Sequence, residues 1–518
     1  MNQRDAGRHS RTAQRRASRV VLLALTTMTI AGCAHIDPRP DYTRVRELIR
    51  GSTAYEAAYD PTEPALSSAE LEAIVGDGVT LDEAVRVALV NNRKLQAAFL
   101  EIGVARADWV QSGLLSNPTL GLGILLPEGG GLANFALDLS QNIVDLWQIP
   151  IRRDIAANRI EEAVLRIART AGELVAEVKR AYWRAVAADA LAETAAENLE
   201  LLRKSHDTVR AQQEAGAASL LDVNLARGEM LRAELAQREA RLAAANARRE
   251  LGRLLSLSST PDTLRLTDPL PAPQTRASEP DALIELAREK RLDLRSMAQA
   301  ADAAEQEIRL EYARVFPEIS VGFGLEQNER RAQPGRHVAA DFARASIAAG
   351  APTVPDIESR TQRREARDQQ IDWKLGPTLT MTLPLFDQNQ AQIAQALYRH
   401  DQALRLHEDL YLNIAHDIRI LFDRAATAQR NLTFYRDELL PQVQQNLDFA
   451  TASFQAGQSP ILALLEAQRA LLDARRGYLD VWSAAAIATA DLEQTVGAPL
   501  GQSNDANSQP TTQPGGQP

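Results

Sequence analysis

Few residues in this chain have the types and spacing that chemistry needs. Its one cysteine, Cys33, closes the run Ile30-Ala31-Gly32-Cys33 behind an apolar stretch from Val20 to Ile30 and a basic lead of Arg4, Arg8, Arg11, Arg15, Arg16 and Arg19. A positive lead and an apolar core of about eleven residues make a signal peptide, too short to span a bilayer as a helix. The ending reads as a bacterial lipobox, so Cys33 is expected to take a lipid and become the first mature residue. The plainer alternative is an ordinary signal peptide with a chance cysteine. A lone thiol in an oxidising compartment is a hazard that lipidation removes. His400 and His407 lie seven apart with Glu408 adjacent, but two imidazoles about 10 Å apart along a helix do not hold a metal. Packing in a helix seam is the better reading for them. No nucleophile elbow, phosphate loop, zinc-type spacing or disulfide framework occurs. The expectation is no catalytic residue, no cofactor, no metal site and no enzyme.

The elements that would carry any other function are long. Removing residues 1–32 takes away six Arg and one Asp, so the formal charge falls from −10 to −15. That acidity argues against nucleic acid and against a basic lipid-binding surface. Aromatic content is only 5%, a balance that fits long helices better than a thick globular core. Residue Ala34, not Asp, follows Cys33, which by resemblance to sorted lipoproteins points to the outer membrane.

The chain is one unit written twice. Ala88, Leu95, Ala105, Pro118 and Gly123 fall on Ala287, Leu294, Ala304, Pro317 and Gly322; further on, Tyr182, Arg184, Gly216, Leu221 and Ala226 fall on Phe422, Arg424, Gly457, Leu462 and Ala467. The offset grows because the second copy carries a charged, nearly neutral loop insertion over 326–374, with a short helix expected near Ile357–Gln370. Four segments alternate with period two, at about 118–126, 133–143, 319–325 and 377–385. Leu120, Leu122 and Ile124 oppose Gly121 and Gly123; Leu137 and Leu139 oppose Asp138 and Ser140; Val321 and Phe323 oppose Gly322 and Gly324; Leu379, Met381, Leu383 and Leu385 oppose Thr378, Thr380 and Thr382. Each alone suits an ordinary half-buried strand; together with an outer-membrane address they suit strands with lipid on one side and water on the other. Trp147, Trp373 and Phe386 would then mark an aromatic girdle. Four strands cannot close, and an open edge in lipid leaves backbone groups unpaired. Several chains must share a barrel: three give twelve strands, whereas two give eight, a barrel filled by its own side chains.

Helices account for the rest. A seven-residue ladder runs Ile160, Ile167, Leu174, Ala181, Ala188, Ala195, Leu202, Val209 beside Val164, Ala171, Val178, Ala185, Ala192, Leu199; the second copy has Leu397, Leu404, Tyr411, Ile418, Ala425, Leu432, Leu439. These are coiled-coil seams whose alanines permit close approach. Residues 151–213 predict a helix of roughly 95 Å, matched end to end by a return helix of roughly 58 Å and a helix over 80–115 of roughly 54 Å. The domain reading is a signal peptide at 1–32, an anchor and equatorial segment at 33–79, a first repeat at 80–259, a linker at 260–280, a second repeat at 281–497 and a disordered tail at 498–518.

The order of these pieces resembles the TolC-like outer membrane efflux family over about residues 80–500. Leu81-Asp82-Glu83-Ala84-Val85 to Asn91-Asn92, Gly113 to Pro118, and Leu439-Leu440-Pro441 through Phe454-Gln455-Ala456-Gly457 to Glu466-Ala467 carry the likeness. The resemblance implies a mainly α fold with a small β part: a homotrimer with a twelve-stranded barrel in the outer membrane and a long α-helical barrel in the periplasm. It implies a periplasmic adaptor and an inner-membrane pump of RND, ABC or MFS type as partners. Asn117-Pro118 and Ile149-Pro150-Ile151-Arg152-Arg153 lean towards the metal-efflux branch. By the same resemblance the channel opens where the helical hairpins turn, at Gly216 with Leu220 and Leu221, and at Gly457 with Ile461 and Leu462. These residues either dock the adaptor or only seal neighbouring hairpins. Glu466 is the implied constriction acid, with Ala463 in place of a second one, and Asp222 holds the matching place in the first copy; the alternative is a solvated outer face. Two other functions stay open: the outer duct of a type I protein secretion system, and a coiled-coil envelope lipoprotein that conducts nothing.

Overall fold

The computed structural model describes residues 35–63, 66–126, 133–257, 264–268, 279–329, 338–353 and 371–500. Cys33, the tail beyond 500 and the helix expected near Ile357–Gln370 lie outside them. The chain divides into two compact units: a helical one built from residues up to Val110, Ile160–Ser296 and from Leu410 on, and a strand-bearing one built from Gln111–Arg159 and Met297–Asp409.

In chain order the elements are α1 (Arg39–Thr53), α2 (Ser68–Gly76), α3 (Leu81–Asn91), α4 (Arg93–Ser112), β1 (Thr119–Leu125), β2 (Asn134–Asn142), α5 (Asp145–Glu214), α6 (Leu220–Leu254), α7 (Pro280–Lys290), α8 (Leu292–Ala313), β3 (Ile319–Glu329), α9 (Val338–Ala349), β4 (Ile371–Met381), α10 (Gln390–Phe434), a π-turn (Tyr435–Leu439), α11 (Leu440–Gln455) and α12 (Ile461–Val496). The duplication is visible in the breaks. Residues 80–115, expected as one helix, are two, because Asn92 is extended (φ −65°, ψ 116°). Its side chain explains this: Oδ1 accepts from Leu95 N at 3.1 Å and Nδ2 donates to Leu254 O at 2.8 Å, so Asn92 caps the next helix while tying it to α6. Arg291 breaks the second copy at the equivalent place with φ −67° and ψ 122°. There the guanidinium bonds Asp293 and donates to Thr495 O at 2.7 Å.

The ladder on α5 is a core. Ile167, Ala171, Val178 and Tyr182 are at most 1% exposed, and in the helical unit they pack in one cluster with Ile49, Leu89, Leu95, Phe99 and Leu251. Farther along α5, Leu199, Leu202 and Val209 pack with Leu447, Leu464 and Leu465. The ladder on α10 is less complete within one chain: Ile418 and Leu432 are buried, whereas Leu397 and Leu404 are exposed. Helix α5 begins six residues earlier than expected and runs through Pro150. Asp145, held by Ser116 N at 2.8 Å and Arg152 at 2.7 Å, starts it upstream of the proline.

The strand unit is an antiparallel sheet in the order β1-β2-β3-β4. β3 runs on to Glu329 and β4 begins at Ile371, where the sequence suggested a strand from about 377 to 385. The charges in Ile371-Asp372-Trp373-Lys374 hid the alternation: Trp373 and Leu375 continue one face and Asp372, Lys374 and Gly376 the other. Pairing stops at Met381, so Leu383 and Leu385 lie past the strand. The connection between β3 and β4 therefore runs from 330 to 370, and its described helix is α9.

Candidate functional site

Register fixes two unlike faces on the sheet. One carries Leu120, Leu122, Ile124, Phe135, Leu137, Leu139, Val321, Phe323, Leu325, Trp373, Leu375, Leu379 and Met381, with Gln141 and Gln327 among them. Many of them stand open: Leu120 is 68% exposed and Leu379 70%. The opposite face carries Thr119, Asp138, Ser140, Ser320, Glu326, Lys374, Thr378 and Thr380 with five glycines. An apolar surface of this extent on a protein in water would drive aggregation; against hydrocarbon it is stable, with the polar face turned to water. No helix among the described residues is long and apolar enough to cross a membrane. β1 and β4 each have one edge with no strand beside it among the described residues.

The two hairpin tips are built alike. α5 ends with Ala217 N donating to Gln212 O (2.7 Å) and Gly216 N to Gln213 O (2.9 Å). α11 ends with Gln458 N donating to Ser453 O (2.9 Å) and Gly457 N to Phe454 O (3.0 Å). That bond pair needs a left-handed residue, and Gly216 (φ 76°) and Gly457 (φ 70°) supply it. Leu220, Leu221 and Leu462 stand exposed beyond the turns, whereas Ile461 is 3% exposed. Ile461 is thus in the seam with Leu464 and Leu465 rather than on the open patch.

The acids near the tips are engaged. Ser219 and Asp222 close a capping box: Ser219 N and Oγ donate to Asp222 Oδ2 at 2.9 and 2.7 Å, and Asp222 N donates back to Ser219 Oγ at 3.2 Å. These bonds, the side-chain one foremost, hold the Asp222 carboxyl below its ordinary range. Glu466 accepts from Arg469 at 3.2 Å, and Arg469 also donates to Glu229 at 2.8 Å, linking α12 to α6. The hydrogen bond with Glu229 raises the Arg469 guanidinium further above its usual value. Sequence reasoning missed Arg469, whose partner Glu229 lies 240 residues away along the chain.

A second set of ion pairs joins the two copies. Lys179 meets Glu493 at 2.8 Å and Arg180 meets Asp491 at 2.7 Å, both from α5 to α12. No local spacing marks them. His400 and His407 lie half-buried on α10, and among the described residues no group of three or more His, Cys, Asp or Glu is arranged to hold a metal ion.

The family model for outer membrane efflux proteins matches residues 84–256 and 283–498, one segment for each copy of the duplication. The chain belongs to the outer membrane efflux protein family. Among relatives, the cobalt-zinc-cadmium resistance protein CzcC of Cupriavidus metallidurans is 23% identical over 405 residues, 78% of this chain and 86% of that one. The cation efflux system protein CusC of Escherichia coli is 24% identical over 426 residues, 76% of this chain and 80% of that one. The crystal structure of the Campylobacter jejuni CmeC outer membrane channel shares the fold, with a TM-score of 0.64 at 15% identity over 89% of this chain and 94% of that one. As an efflux protein of this family, the chain is an outer-membrane exit duct, and the two-faced sheet is the element that suits that membrane.

Proposed function

We propose that three copies of this chain form one channel, the exit duct of a tripartite efflux system, anchored in the outer membrane by a lipid on Cys33. Their sheets pool twelve strands around a water-filled bore, and the helices continue it as a periplasmic tunnel. The observation that carries this reading is the sheet: apolar on one face, polar on the other, and unable to pair its own β1 and β4 edges. An adaptor docks on the exposed leucines at the tips, Leu220, Leu221 and Leu462, and an inner-membrane pump delivers cargo and energy. No catalytic step belongs to the duct itself. Glu466 and Asp222 are the proposed constriction acids, narrowing the bore when Arg469 and Ser219 release them.

The likeness to a cobalt-zinc-cadmium resistance protein and a cation efflux protein supports metal cations as the cargo. Two measurements test the proposal. Purified mature protein reconstituted in planar bilayers is expected to insert as three-chain channels with discrete conductance; a protein that binds lipid yet passes no current would refute it. A deletion strain is expected to become sensitive to cobalt, zinc or cadmium salts. Sensitivity to hydrophobic drugs alone would move the cargo to another class.

A further inference from the structure

The water face of the sheet holds one charged side chain in a setting of its own. Strand register places Asp138 of β2 opposite Gly121 on one side and Gly324 on the other, and Gly324 opposite Gly376. Across the four strands this row therefore presents a single side chain. The row on one side is neutral and hydroxyl-rich, with Thr119, Ser140, Gly322 and Thr378. In the row on the other side Glu326 and Lys374 stand directly opposite each other, so their charges offset. Asp138 has no ion-pair partner among the described residues.

Gly121 is part of the arrangement. A Cβ built on it would overlap the Asp138 carboxylate, with Cγ only 2.7 Å away. The carboxylate thus lies across the bare backbone of β1, and Asp138 stands exposed on the water face.

We propose that Asp138 is a selectivity-determining charge of the conduit, a carboxylate that draws cations into the strand-walled section. The inference rests on the three-chain barrel proposed above: three copies put three carboxylates at one height. A twelve-stranded barrel with strands about 4.8 Å apart, tilted about 40°, is roughly 24 Å across between backbones. The bore's centre then lies about 10 Å from each carboxylate, comparable with the Debye length of about 10 Å at 0.1 M salt. The attraction is strong at about 10 mM salt, where that length is about 30 Å, and vanishes at 1 M, where it is about 3 Å. The cargo helped is any hydrated cation; the effect is electrostatic and does not choose among metals.

The test is sided block of single channels by a trivalent cation, hexaamminecobalt(III), added from the face that carries the β1–β2 and β3–β4 connections. Asp138→Asn is expected to weaken block at least fivefold in about 10 mM KCl and to match the unaltered channel in 1 M KCl. Asp138→Lys should remove block from that side. Gly121→Ala, which displaces the carboxylate without changing the charge, should weaken block less, and should add nothing in an Asp138→Asn background. Channels of ordinary conductance that Asp138→Asn leaves equally blocked at low salt overturn the proposal. An unaltered protein that gives no conductance at all overturns the duct reading instead, so the two failures are told apart.

Discussion

Gly477 of α12 has no side chain because Tyr435 occupies the space one would fill: a Cβ there would stand 2.8 Å from the ring's Cε1 and Cζ, and closer still to its hydroxyl. Tyr435 opens the π-turn between α10 and α11, and a π-turn swells the helix by one residue that must be accommodated by a neighbour. Gly477→Ala is expected to cost about 1–3 kcal/mol of local stability, the usual penalty of overpacking. Hydrogen exchange over residues 430–445 in the reconstituted protein would report it. Tyr435→Ala should relieve most of that cost in the double variant, whereas Tyr435→Phe should not, since the ring carbons collide as well as the hydroxyl. The first tip offers a complementary test. Ser219→Ala removes a capping bond worth about 1 kcal/mol and should speed exchange in the first turn of α6. The Asp222 carboxyl is held below its ordinary range by Ser219. It therefore stabilises the tip above the unfolded value of about 3.9 and loses that contribution as pH falls through the lower folded value. The second tip has Pro460 as its cap, without a side-chain bond, and should show no such acid-dependent loosening.

At the scale of elements, the seam between α5 and α12 buries an amide side chain. Gln468 is 3% exposed amid leucines; its Nε2 donates to Ser205 Oγ at 3.0 Å while its Oε1 is buried with no partner. An unsatisfied buried acceptor costs about 1–3 kcal/mol. Gln468→Leu should therefore tighten the seam by about that amount, because Ser205 Oγ keeps its own bond to Leu201 O. Slower hydrogen exchange along residues 199–209 and rarer spontaneous openings in bilayers would register the change. The seven-residue ladder of α5 was fully legible in the sequence, since periodicity alone determines which face of a long helix is buried, and so were the strands with neutral alternation. What was not legible has particular causes. The start of β4 was obscured because Asp372 and Lys374 look like loop residues until they are paired with Asn328 and Glu326. The break at Asn92 is set by a contact with Leu254, and the Lys179–Glu493 and Arg180–Asp491 pairs by the meeting of the two copies, which no local pattern encodes. Asp138 drew attention only once register had put Gly121, Gly324 and Gly376 beside it. Ile461 lay next to Leu462 in the sequence, yet the helix turns it inward.

The whole molecule is defined by what a single chain leaves unfinished: two strand edges, an apolar sheet face, and the exposed Leu397 and Leu404 of a seam whose Ile418 and Leu432 are buried. Each shortfall is multiplied by the number of chains that share the barrel, and so is each injury to it. An arginine on the lipid face of a barrel costs about 2–4 kcal/mol near the bilayer midplane. Leu122→Arg, present three times, would then cost about 6–12 kcal/mol per channel, comparable with the whole stability of many domains. It is expected to abolish the three-chain species in detergent extracts and the conductance with it. Ser320→Arg puts the same side chain on the opposite face of the same sheet, where water can solvate it. It should leave assembly intact while lowering unit conductance and cation preference. Gel mobility of unheated samples separates the two outcomes from each other. If both variants assembled equally well, the face now assigned to lipid would have to meet water, and a sheet with so many exposed leucines would need some other apolar cover.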